Sequence, residues 1–581
     1  MKSKKLFVVP SAYDKSLKLD EPLLFLGTWC FPTEKKELLL NLDYKILKPI
    51  IFENHIKDKQ HKNIRIFQEK LLNILVVILN NQHNVKFSKK SWNILIGHWL
   101  RRATETMLNR IYIVKSSIEK FQLNGIYSFD KYDLSVEDPR SFIYAAGDNK
   151  WNSALISRIY RFYIKDSDFF QSNDSVSNSF YLEEKDLSKL KATASKILKV
   201  FSKKKDAFMI STYLNFFDNF FLNLSLGQIP QIPITPKLYN RNKTDILLRK
   251  KLKEILLKNK DSSQFNKDQK ILCSLIFEIM PRNYLEDFNL MEKTVDNIGW
   301  PSKPNFIFTS NEFDTNDIFK LWTIKKMQKG TKYYVGQHGN NYGTNKYVKD
   351  TVEELTADKF ITWGWTANGK QYKKGFIFRN KKIKNKVNNG HLLMIENTTN
   401  HKISIWDQDI DFLNHLKNQS KLIKNLNFAP KKNLLIRLHN EHNKMHLNEK
   451  SIILKNNPDV NIDDGLTDIY SLFSKSKLIL HNYDSTGLLQ TLANNKPSLA
   501  FFSNGFDHIR EEAIPYYELL INSGIIHFDY LSLANKINSV WDDVDSWWSD
   551  KSVQENIRQF CHNYARVVDS NKNEIKRILT S

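Results

Sequence analysis

Two stretches of this chain share one pattern, a short apolar run that stops abruptly and gives way to small polar residues. Tyr333-Tyr334-Val335-Gly336 passes into Gln337-His338-Gly339-Asn340-Asn341-Tyr342-Gly343. Lys477-Leu478-Ile479-Leu480 passes into His481-Asn482-Tyr483-Asp484-Ser485-Thr486-Gly487, ahead of the helical-looking Leu488-Leu489-Gln490-Thr491-Leu492-Ala493. An unbroken apolar run of strand length reads as a strand buried on both faces. In open α/β sheets, ligands bind outside the carboxyl ends of such strands. Two such strand ends, far apart in sequence, predict two walls of one cleft.

The segments around them repeat the rhythm. Asn305–Thr309, Lys332–Val335 and Lys359–Trp363 read as strands, with a helix over Asp317–Gln328. A second series follows at Leu392–Ile395, Asn433–Leu438, Lys477–Leu480 and Pro497–Phe502. This β-α-β succession specifies a parallel sheet covered by helices. Nearer the amino terminus, Leu23–Trp29 offers a short strand, and amphipathic helices follow over Ile64–Leu79 and Ser91–Ile118. Pro230, Pro233 and Pro236 mark an extended connection. The Lys- and Asn-rich stretch Arg379–Asn389 reads as a linker, and Leu531–Leu579, with Trp541, Trp547 and Trp548, reads as helical. The expected fold is α/β: two Rossmann-like lobes, with a helical insertion in the amino-terminal lobe and a helical carboxy-terminal tail. Boundaries are expected at 1–378 for the first lobe, 379–390 for the linker, 391–540 for the second lobe and 541–581 for helices packing back.

A chain of 581 residues is too long for a single core, and 41% hydrophobic content excludes a mostly disordered protein. Cys30, Cys273 and Cys561 stand alone, which argues against a disulfide framework or a thiolate zinc site. The net charge of +24 invites a nucleic-acid partner. No basic helix, zinc finger or aromatic RNA motif accompanies it, however, and Lys and Asn are spread along the whole chain, so no nucleic-acid partner is expected. A basic surface against anionic lipid headgroups fits better. The most apolar run, Leu71–Leu79, is too short to span a bilayer, and the apolar run near Phe7 is too short for a signal peptide. The expectation is a cytoplasmic protein, with peripheral contact at the inner face of the membrane left open.

Chemistry concentrates at the strand ends. Asp484-Ser485-Thr486-Gly487 before a helix presents hydroxyls and free N–H groups to an anion, or simply caps the helix through Ser485 or Thr486. His338 titrates near neutrality and can move a proton or stabilise a leaving phosphate. Arg437 and His439, in Ile436-Arg437-Leu438-His439, stand at another strand end, where Arg437 could grip a carboxylate or phosphate. The acidic candidates are Asp148, Glu312, Asp314, Glu353, Glu354 and Asp358. His442 and His446 have helical spacing, but Asn443 stands where a zincin needs Glu, so no metal is expected. Walker, G-x-S-x-G and G-x-G-x-x-G signatures are absent from the sequence.

Several motifs carry a resemblance. Phe25–Cys30, Trp92–Leu100, Asp148–Asn152, Gly336-Gln337-His338-Gly339 with Tyr342-Gly343, Thr362-Trp363-Gly364-Trp365 and Leu492–Pro497 resemble a bacterial family of transferases of surface-carbohydrate biosynthesis. His98 stands where that family's Gly-Pro-Trp-Leu pattern has Pro, and Asn340-Asn341 replaces a Gly-rich pair. More distantly, the second lobe is similar to that of capsule and O-antigen transferases that use CMP-activated ulosonic acids. The resemblance implies a GT-B glycosyltransferase with the acceptor on the first lobe and the nucleotide-sugar donor, preferably CMP-linked, on the second, and with no further cofactor. It places His338 facing the donor phosphate; with Asp148 and Asp358 from the acidic candidates, these are the expected catalytic residues. Gln337, Gly339, Tyr342, Arg437, His439, Asn482, Ser485 and Thr486 become donor-binding candidates. The acceptor is expected to be a glycan or a lipid-linked glycan. The competing reading is a non-catalytic nucleotide- or glycan-binding scaffold of the same pathway.

Overall fold

Every strand pairing between named strands is parallel, and the strands fall into three sheets in chain order. The computed structural model describes residues 5–11, 21–30, 42–48, 54–172, 189–383, 387, 389–397, 409–442 and 449–581. The first sheet contains β1 (Leu6–Val9), β2 (Leu23–Phe25), β3 (Tyr44–Ile46), β4 (Leu123–Ser128) and β5 (Phe170–Ser172), in the order β3-β2-β1-β4-β5. The second holds β6 (Phe208–Ile210), β7 (Phe306–Thr309), β8 (Lys332–Gly336), β9 (Lys359–Thr362) and β10 (Tyr372–Lys374), ordered β10-β9-β8-β7-β6. The third is built from β11 (His391–Ile395), β12 (Leu434–Arg437), β13 (Asn461–Asp463), β14 (Ser476–His481), β15 (Ser498–Phe501) and β16 (Ile526–His527). Its order, β13-β12-β11-β14-β15-β16, places a topological switch point between β11 and β14.

The α/β class follows from the strand sequences. Phe306–Thr309 and Ser498–Phe501 are buried at every position, as central strands covered on both faces must be. The pair of Rossmann-like sheets expected from the sequence is present as the second and third sheets. The first sheet is additional: its outer strands are three residues long, too short to leave a periodic signal in the sequence. The helical insertion is a hairpin of two long helices, Asn54–His83 and Lys89–Lys120, between β3 and β4.

Helix Lys89–Lys120 joins the first two sheets. It packs on Asn149–Tyr160 beside the first sheet and on Asp317–Met327 and Val352–Thr356 beside the second. At its centre Leu95 O accepts hydrogen bonds from Lys320 Nζ at 2.8 Å and Tyr284 Oη at 3.0 Å. Lys320 is itself paired with Asp317 at 2.7 Å, both side chains being buried. Asn283 Nδ2 donates to Asp317 at 2.8 Å, and Tyr284 Oη, which shares its one proton with Leu95 O, stands 3.1 Å from it. A buried ion pair is tolerable only when its remaining valences are met in this way.

The carboxy-terminal helices return to the second sheet. Arg566 N donates to Trp363 O, and Ile377 N donates to Arg566 O, each at 2.9 Å. Ile575, Ile578 and Leu579 bury against Phe306, Phe308 and Ile361. Gly364 is what admits this return. Its φ is +130°, and a Cβ there would lie 2.8 Å from His562 O.

Lys320→Met removes one partner and leaves Asp317 charged and buried, so a loss of about 3–5 kcal/mol in chemical denaturation is expected. The double variant Asp317→Leu/Lys320→Met is expected to recover most of that loss.

Candidate functional site

The loops after β8 and β14 meet directly. Asn340 N donates to Thr486 Oγ1 at 2.9 Å, and Asn340 Nδ2 donates to Asp484 Oδ1 at 2.7 Å. Asp484 also accepts from Tyr517 Oη at 3.0 Å and stands 3.2 Å from His508 Nε2. Alongside, Arg510 N donates to Thr344 O at 2.7 Å, and its guanidinium reaches Asn345 O and Val348 O, both at 3.0 Å. Asn345 and Ile509 form a single antiparallel bridge. The second and third sheets are thus hydrogen-bonded at the strand ends that carry the candidate residues.

Gln337 holds its own loop in place. Its side-chain Oε1 accepts from Trp363 N at 2.9 Å and Trp365 Nε1 at 2.8 Å, while Nε2 donates to Gly339 O at 2.8 Å. The Gln-His-Gly and Trp-Gly-Trp motifs are therefore one bonded unit. Gly343 completes it: φ is +73°, and a Cβ would lie 2.4 Å from the Trp365 ring.

His338 is mostly buried, and loss of hydration lowers its pKa. Its Nδ1 lies 3.2 Å from Tyr342 Oη, whose one proton goes to Glu353 Oε1. The Tyr342 oxygen therefore accepts from His338 Nδ1–H, which leaves Nε2 as the basic nitrogen. His338 Nε2 makes no hydrogen bond among the described residues. The result is a neutral imidazole with its lone pair available and its tautomer set by a Tyr-Glu relay.

Behind the relay lies a second set of charged groups. His98 Nε2 is 3.3 Å from Glu353 Oε2, and His98 Nδ1 is 3.8 Å from Asp314. Arg102 grips Asp314 with two hydrogen bonds, at 2.5 and 2.8 Å. Burial raises the Asp314 pKa, but Arg102 outweighs it and draws the carboxyl down to about 2. Burial raises Glu353 and lowers His98. Phe313 lies between the two imidazoles, 5.3 Å from His98 and 5.7 Å from His338. Tyr213, from the loop after β6, approaches the other side of His338 at 6.1 Å.

At the switch point of the third sheet, Glu396 follows β11 and Asn482 follows β14. Asn482 Nδ2 donates to Glu396 Oε1 at 2.5 Å; Gln419 bonds the same oxygen, and His415 stands 3.4 Å from the other. Asn482 Oδ1 is buried without a partner. Arg437 makes only long hydrogen bonds through Nη2, at 3.3 Å to Gly465 O and 3.4 Å to Thr467 O; its buried Nε makes none but stands 3.9 Å from the Asp463 carboxylate. His439 Nδ1 accepts from Glu441 N at 3.2 Å, and burial lowers its pKa.

The structure brings together His338, Gly339, Tyr342 and Thr486, and links them to Asn482 through the loop bearing Asp484. Ser485 lies here too, but its hydroxyl caps the following helix at Leu488 N, 3.0 Å away, so the capping alternative describes it. Two catalytic candidates lie elsewhere. Asp148 caps helix Asn149–Tyr160 beside the first sheet, accepting from Trp151 N at 2.9 Å. Asp358 accepts from Tyr333 N at 2.9 Å and pairs with Lys90 at 3.0 Å. It precedes β9, at the amino ends of the strands, a strand length away from His338. Among the other acids, Glu312 accepts from Ser211 and Asn316, and Glu354 completes a capping box with Thr351. His446 lies outside the described residues. The sequence reading missed Glu396, Asp484 as a hub, Tyr213 and His508. Glu396 directly follows the apolar run Leu392–Ile395, the same signal that singled out His338.

His481, just below the seam, is fully buried between Ser485 Oγ at 3.1 Å and Thr491 Oγ1 at 3.2 Å. Burial holds its imidazole down from 6.5 to about 3. The unfolded chain takes up that proton near 6.5 and the folded chain resists it, so stability present above that value is lost as pH falls toward 3. His481→Asn is expected to flatten this acid limb, measured as the change in Tm from neutral to acid pH relative to the parent.

Among solved structures, the chain is similar to the wall teichoic acid polymerase TagF, at 12% identity and a TM-score of 0.29 over 50% of this chain and 83% of that one. It is also similar to the calicheamicin glycosyltransferase CalG4, at 10% identity and a TM-score of 0.30 over 58% and 81%. A protein of Listeria monocytogenes described as a putative UDP-N-acetylglucosamine 2-epimerase gives 11% identity and a TM-score of 0.37 over 65% and 95%. No curated protein matches the chain. The LIC12162 family transferase model matches residues 6–579, nearly the whole chain, and the protein belongs to that family.

Proposed function

We propose that this transferase is a glycosyltransferase that binds a nucleotide-sugar donor between the strand ends of the second and third sheets. The observation that carries this reading is the neutral, tautomer-fixed His338, with Nε2 free, on a loop hydrogen-bonded to the Asn482–Thr486 loop at a Rossmann switch point. An acceptor hydroxyl attacks the anomeric carbon, the bond from that carbon to the donor phosphate breaks with its electron pair going to phosphate oxygen, and the hydroxyl proton passes to His338 Nε2. Tyr342 and Glu353 steady the imidazolium that forms. Glu353 and Asp314 are already engaged by Tyr342 and Arg102, which favours a single displacement over a carboxylate-bound intermediate.

The preferred donor is a CMP-linked ulosonic acid, and the preferred setting is surface polysaccharide assembly on a glycan or lipid-linked glycan acceptor. Arg437 supports the anionic sugar: its buried Nε–H makes no hydrogen bond and has only the Asp463 carboxylate, 3.9 Å away, so a donor carboxylate at the end of β12 would give it a direct bond. Asn482, with a free carbonyl oxygen, suits a donor hydroxyl or amine.

Incubation with CMP-, UDP- and TDP-linked sugars, with nucleotide release as the readout, tests the proposal. His338→Gln is expected to lower turnover by roughly 10²–10⁴-fold while preserving donor binding. Arg437→Met is expected to raise KM about tenfold or more for a CMP-ulosonic donor, with little change for uncharged sugars. Donor binding without turnover in the parent protein would instead favour the scaffold reading.

A further inference from the structure

The helix Phe216–Ser225 is built inside out. Phe216, Phe217, Phe220, Phe221 and Leu224 recur at the spacing of a single helical face. That face points to solvent, with exposures of 75%, 68%, 37%, 49% and 47%. The protein-facing side is largely polar. Asp218 accepts from Asn571 Nδ2 at 2.8 Å, Asn223 Oδ1 accepts from Gln228 Nε2 at 2.9 Å, and Ser225 O accepts from Lys576 Nζ at 2.7 Å. The exposed rings pack on one another, with centroids 5.5 Å apart for Phe216–Phe217 and for Phe220–Phe221. Such a stripe contributes nothing to the core and calls for a partner.

Its neighbourhood is basic. Ser195, Lys196 and Lys199 line one cavity together with Asn219 and Asn223, so the end of helix Lys189–Lys199 lies against the polar flank of helix Phe216–Ser225. Ile197, Val200 and Phe201 there are also exposed, at 59%, 80% and 53%. Over residues 193–227 the chain carries Lys196, Lys199, Lys203, Lys204 and Lys205 against Asp206 and Asp218. Both acids accept hydrogen bonds from within the chain, Asp206 from Lys203 N at 2.8 Å.

We propose that this face docks on a bilayer containing anionic phospholipid, with the phenylalanines, Val200 and Phe201 entering the headgroup–acyl boundary and the lysines meeting lipid phosphates. Exposed aromatics flanked by Lys are the composition that binds such an interface. A second copy of the chain fits worse, because a self-complementary contact would bring the lysines of both copies together. The helix follows β6 through the loop bearing Tyr213, whose ring is 6.1 Å from His338, so docking sets the His338 cluster close to the lipid surface. Delivery of a lipid-linked acceptor to His338 rests on the proposed glycosyl transfer; the docking does not.

Co-sedimentation of the full chain with phosphatidylcholine vesicles, alone or with about one-third phosphatidylglycerol, tests the proposal. The parent protein is expected to pellet with the anionic vesicles. The variant Phe216→Ser/Phe217→Ser/Phe220→Ser/Phe221→Ser is expected to lose at least about tenfold in partition with an unchanged melting curve, because it replaces exposed side chains. Lys196→Glu/Lys199→Glu is expected to weaken binding to the anionic vesicles selectively. Parent protein left in the supernatant with both vesicle types, or equal partition of parent and serine variant, overturns the proposal. A dimer in sedimentation velocity that the serine substitutions dissolve assigns the face to a second copy and also overturns it.

Discussion

The carboxylate of Asp484 is the point on which the rest of the site depends. It accepts from Asn340 on the second sheet and from Tyr517 on the third, and it faces His508. A partly buried charge with that many donors cannot lose one cheaply, since each lost hydrogen bond leaves a polar group unsatisfied. The relative position of the β8 and β14 strand ends is therefore set by these hydrogen bonds together with the apolar cluster that runs from Tyr342 and Trp365 to Leu488, Ile509 and Tyr517. With it is set the distance between His338 and the Glu396–Asn482 pair.

A division of labour follows along the β8 loop. Gln337 is spent entirely on the backbone and on Trp365, Asn340 on the partner sheet, and Tyr342 on Glu353. His338 alone among these four is left with an uncommitted nitrogen. Its neighbours Phe313 and Tyr213 exclude water without offering hydrogen bonds to it, which is why its pKa moves down instead of up.

The sheets that carry the site were legible because their strands are continuous apolar runs ending in polar residues, a pattern that burial on both faces enforces. Of the first sheet only Leu23–Phe25 was legible, as an apolar run ending at a Gly, because strands as short as Tyr44–Ile46 and Phe170–Ser172 carry no period. His338 and Asn482 stand out in the sequence as polar residues after apolar runs, and the structure puts both at strand ends. Asp148 and Asp358 stand at a helix cap and a strand start, and a carboxylate there looks, in sequence, like one in a cleft; the pairing of Lys359 with Tyr334 shows which end of the sheet Asp358 occupies. His98 appeared as a departure from a family pattern. In three dimensions it is the residue facing Glu353, on a helix from another part of the chain.

The two crossings between the second and third sheets leave the second sheet side by side, since Ile377 N is bonded to Arg566 O. A lobe held by one tether can swing about any axis, whereas two adjacent tethers form a hinge pin. An opening of the third sheet against the second, which would first have to release the bonds of Asn340 to Thr486 and Asp484, would turn about that pin. Gly364, where a returning helix comes within 2.8 Å of the place a Cβ would take, lies at the spine of such an opening.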